Sequence, residues 1–168
     1  MNPVSIRLLN QQLFAPQFRD PVEVVDYMGA MQAQEYRMMR WAVGMRTRRP
    51  SARAFKKAFD NGQILRLHLM RGTWQLVSAD NYWPMIDLFA PKAIAVTKGW
   101  MSSNKISIPD EELLRVRDIL IQTAADCSVA VGDAFQIKKG GATKQDFAKA
   151  LEKKGMQMDD VQVLIISL

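Results

Sequence analysis

The chain has 168 residues, 48% of them hydrophobic and 24% charged, enough apolar material for a packed domain and too much for a disordered one. A single cysteine, Cys127, excludes an internal disulfide and a single histidine, His68, excludes a Cys/His zinc site, while no apolar run reaches the roughly 20 residues of a membrane-spanning helix and no secretion signal opens the chain. Net charge is +6 and uneven: residues 1–78 hold 12 basic and 5 acidic side chains, residues 79–168 hold 11 and 12, an asymmetry that points to a polyanionic partner.

Ile6, Leu9 and Leu13 share a helical face that ends before Pro16. Asp20 as N-cap, Pro21 at the first helical position, and Val24, Met28 and Met31 at helical spacing predict a second helix. Tyr36, Met39 and Val43 continue the helical pattern to Gly44, and Arg46 to Pro50 reads as a basic loop. Ser51 caps the next helix, with Ala52, Phe55 and Phe59 inward, Arg53, Lys56 and Lys57 outward, and Asn61-Gly62 as its stop. The period then changes. Leu65, Leu67 and Leu69 alternate with Ile64, Arg66 and His68, and Trp74 and Leu76 alternate with Thr73, Gln75 and Val77. Two strands follow from this, joined at Met70-Arg71-Gly72 into a hairpin.

Short helices followed by a hairpin, the last helix carrying a basic face, predict a mainly α fold with a small β-hairpin, a winged helix-turn-helix over residues 1–90. A helix around Trp83, Ile86 and Phe89 ends that domain, and residues 91–127 read as connecting helices, the long one along the stripe Leu113, Val116, Leu120 and Ala124. Residues 128–168 read as the start of a second, incomplete winged helix: a turn at Lys138–Gly141, a capped helix from Thr143 with Phe147 and Leu151 inward, and a last apolar helix from about Asp159. Its end, without cap or polar tail, fits either a longer architecture or a terminus docked on its own domain or on a second copy.

From Tyr36 to Phe59 there is no acid, and six of the eight cations in that stretch are arginines, whose guanidinium forks match phosphate oxygens. Arg46, Arg48, Arg49, Arg53, Lys56 and Lys57, with Arg71 at the hairpin tip, are therefore the candidate DNA contacts. Met28, Met31, Met38, Met39 and Met45 fall at helical spacing and are assigned to the core. Trp74 and Trp83 are expected to pack between hairpin and following helix, and His68, with no second histidine or acid beside it, is expected to be structural. Lys138-Lys139-Gly140-Gly141 lacks the pattern of a phosphate loop, and no metal or cofactor is implied.

The runs Met28 to Glu35, Arg40 to Arg46, Ile64 to Val77 and Asp80 to Trp83 resemble the AlkZ-like winged-helix DNA-binding family, over residues 5 to about 165. The resemblance implies tandem winged helices around a basic DNA channel and, in the members that are enzymes, monofunctional DNA glycosylases that release alkylated or crosslinked bases. It also implies a Gln-x-Gln catalytic motif, here Gln32 and Gln34. That chemistry is intelligible: an N-alkylated purine is already a cationic leaving group, so the site needs a placed water and dipoles that favour an oxocarbenium-like sugar, which neutral amides supply. Glu35 is the one carboxylate of the stretch able to act as a base, although the resemblance assigns it no role. Apart from the resemblance, the two glutamines read as the polar end of a helix. Two departures stand out. Gln75 occupies a position where relatives carry histidine, and relatives run to about twice this length, in keeping with several domains. Three functions remain open: a DNA-binding protein working through a basic helix and wing, a DNA glycosylase, and a self-associating or partner-binding module that uses the apolar C-terminal helix.

Overall fold

Two prolines at first helical positions open helices α1 (Pro3–Asn10) and α2 (Pro21–Met28). The structure, a computed structural model, describes residues 2–131, 134–137 and 142–156. The chain divides into two units, Met1–Val96 and Thr97–Ser167. Helix α1 is shorter than its apolar spacing predicts and buries no residue; Leu13 lies beyond its end, because Gln12 turns left-handed at φ 58°. Gln12 is itself buried, and its Oε1 accepts from the Gln17 N–H at 2.8 Å.

Helix α2 starts on a reciprocal cap: Asp20 Oδ1 accepts from the Val22 N–H at 2.7 Å and Glu23 Oε2 accepts from the Asp20 N–H at 3.2 Å. It stops sooner than the sequence predicts. Gly29 adopts φ 70°, a conformation costly for any residue with a Cβ, and the chain leaves the helix there. Met31 therefore belongs to a short strand, β1 (Met31–Gln32), and not to α2. Helices α3 (Tyr36–Gly44) and α4 (Ala52–Asp60) follow, the latter capped by Ser51 Oγ, which accepts from the Ala54 N–H at 3.1 Å. Strands β2 (Ile64–His68) and β3 (Trp74–Ser78) then form the expected hairpin, joined by one 3-10 turn at Met70–Gly72. All pairings are antiparallel, in the order β1-β3-β2, with Met31 opposite Leu76 and Arg66 opposite Leu76 from the other side.

Each element contributes to one core: Val24 and Val25 from α2, Met31 from β1, Met39 and Val43 from α3, Phe55 and Ala58 from α4, Ile64 and Leu76 from the hairpin. Burying a large apolar side chain is worth about 1.5–3 kcal/mol, so the amphipathic faces of α3 and α4 fix the pair against the sheet. A polar tie closes the unit. Asp26 Oδ1 accepts from Ser78 Oγ at 2.7 Å and from Asn81 Nδ2 at 2.8 Å, fastening α2 to the end of β3. The succession α2-β1-α3-α4-β2-β3 is that of a winged helix-turn-helix, with α4 in the recognition position and the hairpin as wing.

Helix α5 (Tyr82–Ser103) runs across the division between the units. Trp83 on it is 68% exposed, stacked edge-on with Tyr82 at 4.9 Å, and so does not pack under the hairpin as its type suggests. In the second unit, α6 (Asp110–Asp126) places three acids in its first turn, favourable to the helix dipole, and packs against α7 (Lys144–Lys153). Val116 and Leu151 are the buried residues of that pair. Thr143 caps α7 as expected, its Oγ1 accepting from the Asp146 N–H at 3.3 Å, and in return the Thr143 hydroxyl and N–H donate to Asp146 Oδ2 at 2.6 and 2.9 Å, bonds that hold the Asp146 carboxyl below its ordinary pKa. Strands β4 (Ser128–Val131) and β5 (Ala134–Ile137) pair between the two helices. The expected turn at Lys138–Gly141, the last helix from Asp159 and self-association through it lie outside the described residues. Among the described residues no helix is long and apolar enough to cross a membrane.

Candidate active site and nucleic-acid interface

Gln32 and Gln34 do not end a helix. Gln32 closes β1 and Gln34 lies two residues on, in the bend before α3; both side chains line one groove while the intervening Ala33 is buried. Gln34 is held at both ends. Its Oε1 accepts from the Trp74 N–H at 3.2 Å, and its carbonyl oxygen accepts from Arg66 Nη2 at 3.2 Å. The Arg66 guanidinium lies over the Trp74 ring, 4.1 Å from its centroid, and His68 meets the same ring at 3.8 Å. Burial and then the charge of Arg66 hold the His68 pKa below its ordinary value. Gln32, by contrast, is exposed and makes no side-chain hydrogen bond among the described residues. Across the strand from it stands Gln75, buried, with Nε2 donating to Thr73 Oγ1 at 2.8 Å.

The glutamines open onto a groove of about 380 Å³ whose other walls are Glu35, Met38, Met39, Trp41, Ala42, Met45 and Arg46. Its surface is mostly apolar. The methionine series is therefore split: Met31 and Met39 are core and Met28 packs beside it, but Met38 and Met45 are 52% and 44% exposed on the groove wall with Trp41 at 63%. Polarizable thioethers and an indole suit a flat aromatic guest. Glu35 is the only carboxylate of the wall, exposed and free of any side-chain cap bond to α3. Arg46 is the only cation. It is half-buried, Nη1 donates to the Ala42 carbonyl at 2.8 Å, Nε has no partner among the described residues, and desolvation lowers its pKa. This side chain belongs to the groove more than to the open surface.

The remaining candidate contacts are arranged differently. Arg48 and Arg49 in the α3–α4 turn, and Arg53 and Lys57 on α4, are exposed. Lys56 is exposed as well but shares a hydrogen-bonded ion pair with Asp60 one helical turn on, which raises its pKa and neutralises it locally. Arg71 belongs to the 3-10 turn at the hairpin tip. The network of Arg66, Trp74 and Gln34 was not legible as such in the sequence, where its one trace is that Arg66 and His68 alternate onto the same strand face.

A helix-turn-helix with an arginine-rich edge, a wing, and side-chain amides on a groove beside it define a winged-helix protein. A family model described as DNA glycosylase AlkZ-like matches residues 25–164, and the chain belongs to that family. Among solved structures, Streptomyces sahachiroi DNA glycosylase AlkZ superposes with a TM-score of 0.59 at 16% sequence identity, over 94% of this chain and 37% of that one. The likeness shows a shared fold, and the chain spans well under half the length of that neighbour. No curated protein matches the chain.

Proposed function

We propose that the chain supplies the base-excision groove and part of the duplex-binding surface of a monofunctional DNA glycosylase acting on alkylated or crosslinked bases. Family membership supports excision over DNA binding alone. The observation that carries the reading is that Gln32, Gln34 and Glu35 line a single groove with soft apolar walls. A cationic N-alkylpurine leaves with the electron pair of its glycosidic bond and becomes neutral, so no strong acid is required. Water adds to the sugar carbon, and its proton passes to an acceptor, for which Glu35 is the available carboxylate. The free Oε1 of Gln32 orients the water, and the apolar walls cover the flipped base. Arg48, Arg49, Arg53 and Lys57, with Arg71 on the wing, neutralise phosphates, while Arg46 and Lys56, already engaged locally, contribute less. In this reading residues 1–90 are the winged helix, 91–127 the connection and 128–168 the opening of a second winged helix.

The test is release of N7-alkylpurine from alkylated duplex by the purified chain. Release that Gln32→Ala abolishes is expected. Absence of release from a chain that still binds duplex leaves a DNA-binding protein, a reading favoured by the 37% coverage of the neighbour.

A further inference from the structure

In an antiparallel ladder, residues of a narrow pair exchange both backbone bonds. The register that sets Met31 opposite Leu76 and Gln32 opposite Gln75 puts Ala33 opposite Trp74 in such a pair. Half of the exchange is made: the Ala33 N–H donates to the Trp74 carbonyl at 2.8 Å. The returning bond is not. The Ala33 carbonyl instead accepts from Arg66 Nε at 3.0 Å, and the Trp74 N–H, deprived of that acceptor, donates to the side-chain Oε1 of Gln34. Arg66 is held in place for this by the Trp74 ring beneath it and by its second bond to the Gln34 carbonyl.

The substitution has a chemical consequence. A backbone N–H only donates, so the atom of Gln34 that meets Trp74 is its oxygen, and the amide nitrogen is the end left for the groove. We infer that Arg66 is a positioning residue that diverts the Ala33 carbonyl from the sheet and thereby fixes Gln34 as a hydrogen-bond donor toward the groove, with Gln32 as the acceptor of the pair. The two glutamines are thus not equivalent. Gln32 faces the water, and Gln34 faces an acceptor on the departing base, its carbonyl oxygen or a ring nitrogen. Electron density returns to the base as the glycosidic bond breaks, so a fixed donor there binds the transition state more strongly than the ground state. This assignment rests on the excision reading above.

Two arms test it on the full chain. In the kinetic arm, Gln34→Glu keeps an acceptor for Trp74 but removes the donors, and base release is expected to fall by about a hundredfold to a thousandfold. Arg66→Gln is expected to lower kcat by about a hundredfold with KM little changed, and Arg66→Lys, which restores one bond to a carbonyl, to recover part of it. In the activity-free arm, NMR follows the Gln34 side-chain NH2 and the Trp74 amide. In Arg66→Gln the NH2 resonances should move to their random-coil positions while the Trp74 amide stays protected from exchange, now paired to the Ala33 carbonyl. Unchanged Gln34 resonances in Arg66→Gln, or wild-type base release by Gln34→Glu, overturns the assignment. If Arg66→Gln does not fold, Arg66→Lys serves in both arms, with a smaller shift in the same direction. Failure of the wild-type chain to release any base defeats the excision reading instead, and the NMR arm then decides the positioning by itself.

Discussion

The groove and the basic edge are built from neighbouring stretches of the same winged helix, yet by opposite means. At the groove, polar groups are few and half of them are fastened: Gln34 is tied to Trp74 and Arg66 and Arg46 folds back on Ala42, while Gln32 and Glu35 stand exposed beside them. Along the α3–α4 turn and α4, charges are many, exposed and unfastened, with Lys56 the exception. Catalysis needs groups preorganised against one geometry, whereas phosphate attraction works through a field and tolerates motion. On the proposed function, placing both on one small unit separates the costs, since the core under α4 carries the stability and its outer face is free to carry charge.

That separation is open to direct attack. Phe55→Ala removes the largest buried side chain of α4 and should destabilise the winged helix by about 3–5 kcal/mol in denaturant unfolding, with duplex binding lost alongside; a small effect would mean that α4 is not anchored by its inner face. Joint replacement of Arg48, Arg49 and Arg53 by alanine should do the reverse. Each change on the open surface should alter stability by no more than about 0.5 kcal/mol. Fluorescence anisotropy across salt concentrations should show weaker duplex binding and a log–log slope flattened by up to about 2.7, about 0.9 for each phosphate no longer neutralised. An unchanged slope would remove these arginines from the interface. Ser51→Ala, which strips the cap from α4, should cost about 1 kcal/mol in thermal unfolding and leave the salt slope as it was. The smallest effect concerns His68. Its pKa is depressed in the folded chain, so the unfolded chain binds the proton more readily, and the contribution is present above the ordinary histidine range and lost as pH falls below it. Wild type should therefore lose slightly more stability than His68→Gln between neutral and mildly acidic pH, and parallel curves would show the ring to be effectively solvated.

Features governed by local chemistry are readable in the sequence. Asp20, Ser51 and Thr143 cap the helices that their positions announce, and the alternation from Ile64 to Val77 makes the hairpin. The resemblance to the AlkZ-like family holds over most of the chain. What escapes depends on partners distant in sequence or on a single backbone angle. Met31 keeps helical spacing with Val24 and Met28, and only the left-handed Gly29 sends it to the sheet, taking Gln32 and Gln34 with it. Met38 and Met45 have the spacing of core residues, but α3 turns them to an open wall, and periodicity cannot say whether anything covers a face. The exposure of Trp83 escapes for the same reason. The pair β4–β5 does leave a signal, alternating Val129, Val131, Phe135 and Ile137 around Gly132-Asp133, which the apolar stripe of α6 overshadows.

The sheet order β1-β3-β2 has a consequence for biosynthesis. Its central strand is the last of the three to leave the ribosome, and β1, two residues long, has no stability of its own. A nascent chain that has emerged only as far as Leu69 carries both glutamines and Arg66 but no Trp74 to receive them, so both outer strands wait for the middle one. The geometry of Gln34 is therefore settled by an amide translated forty residues later.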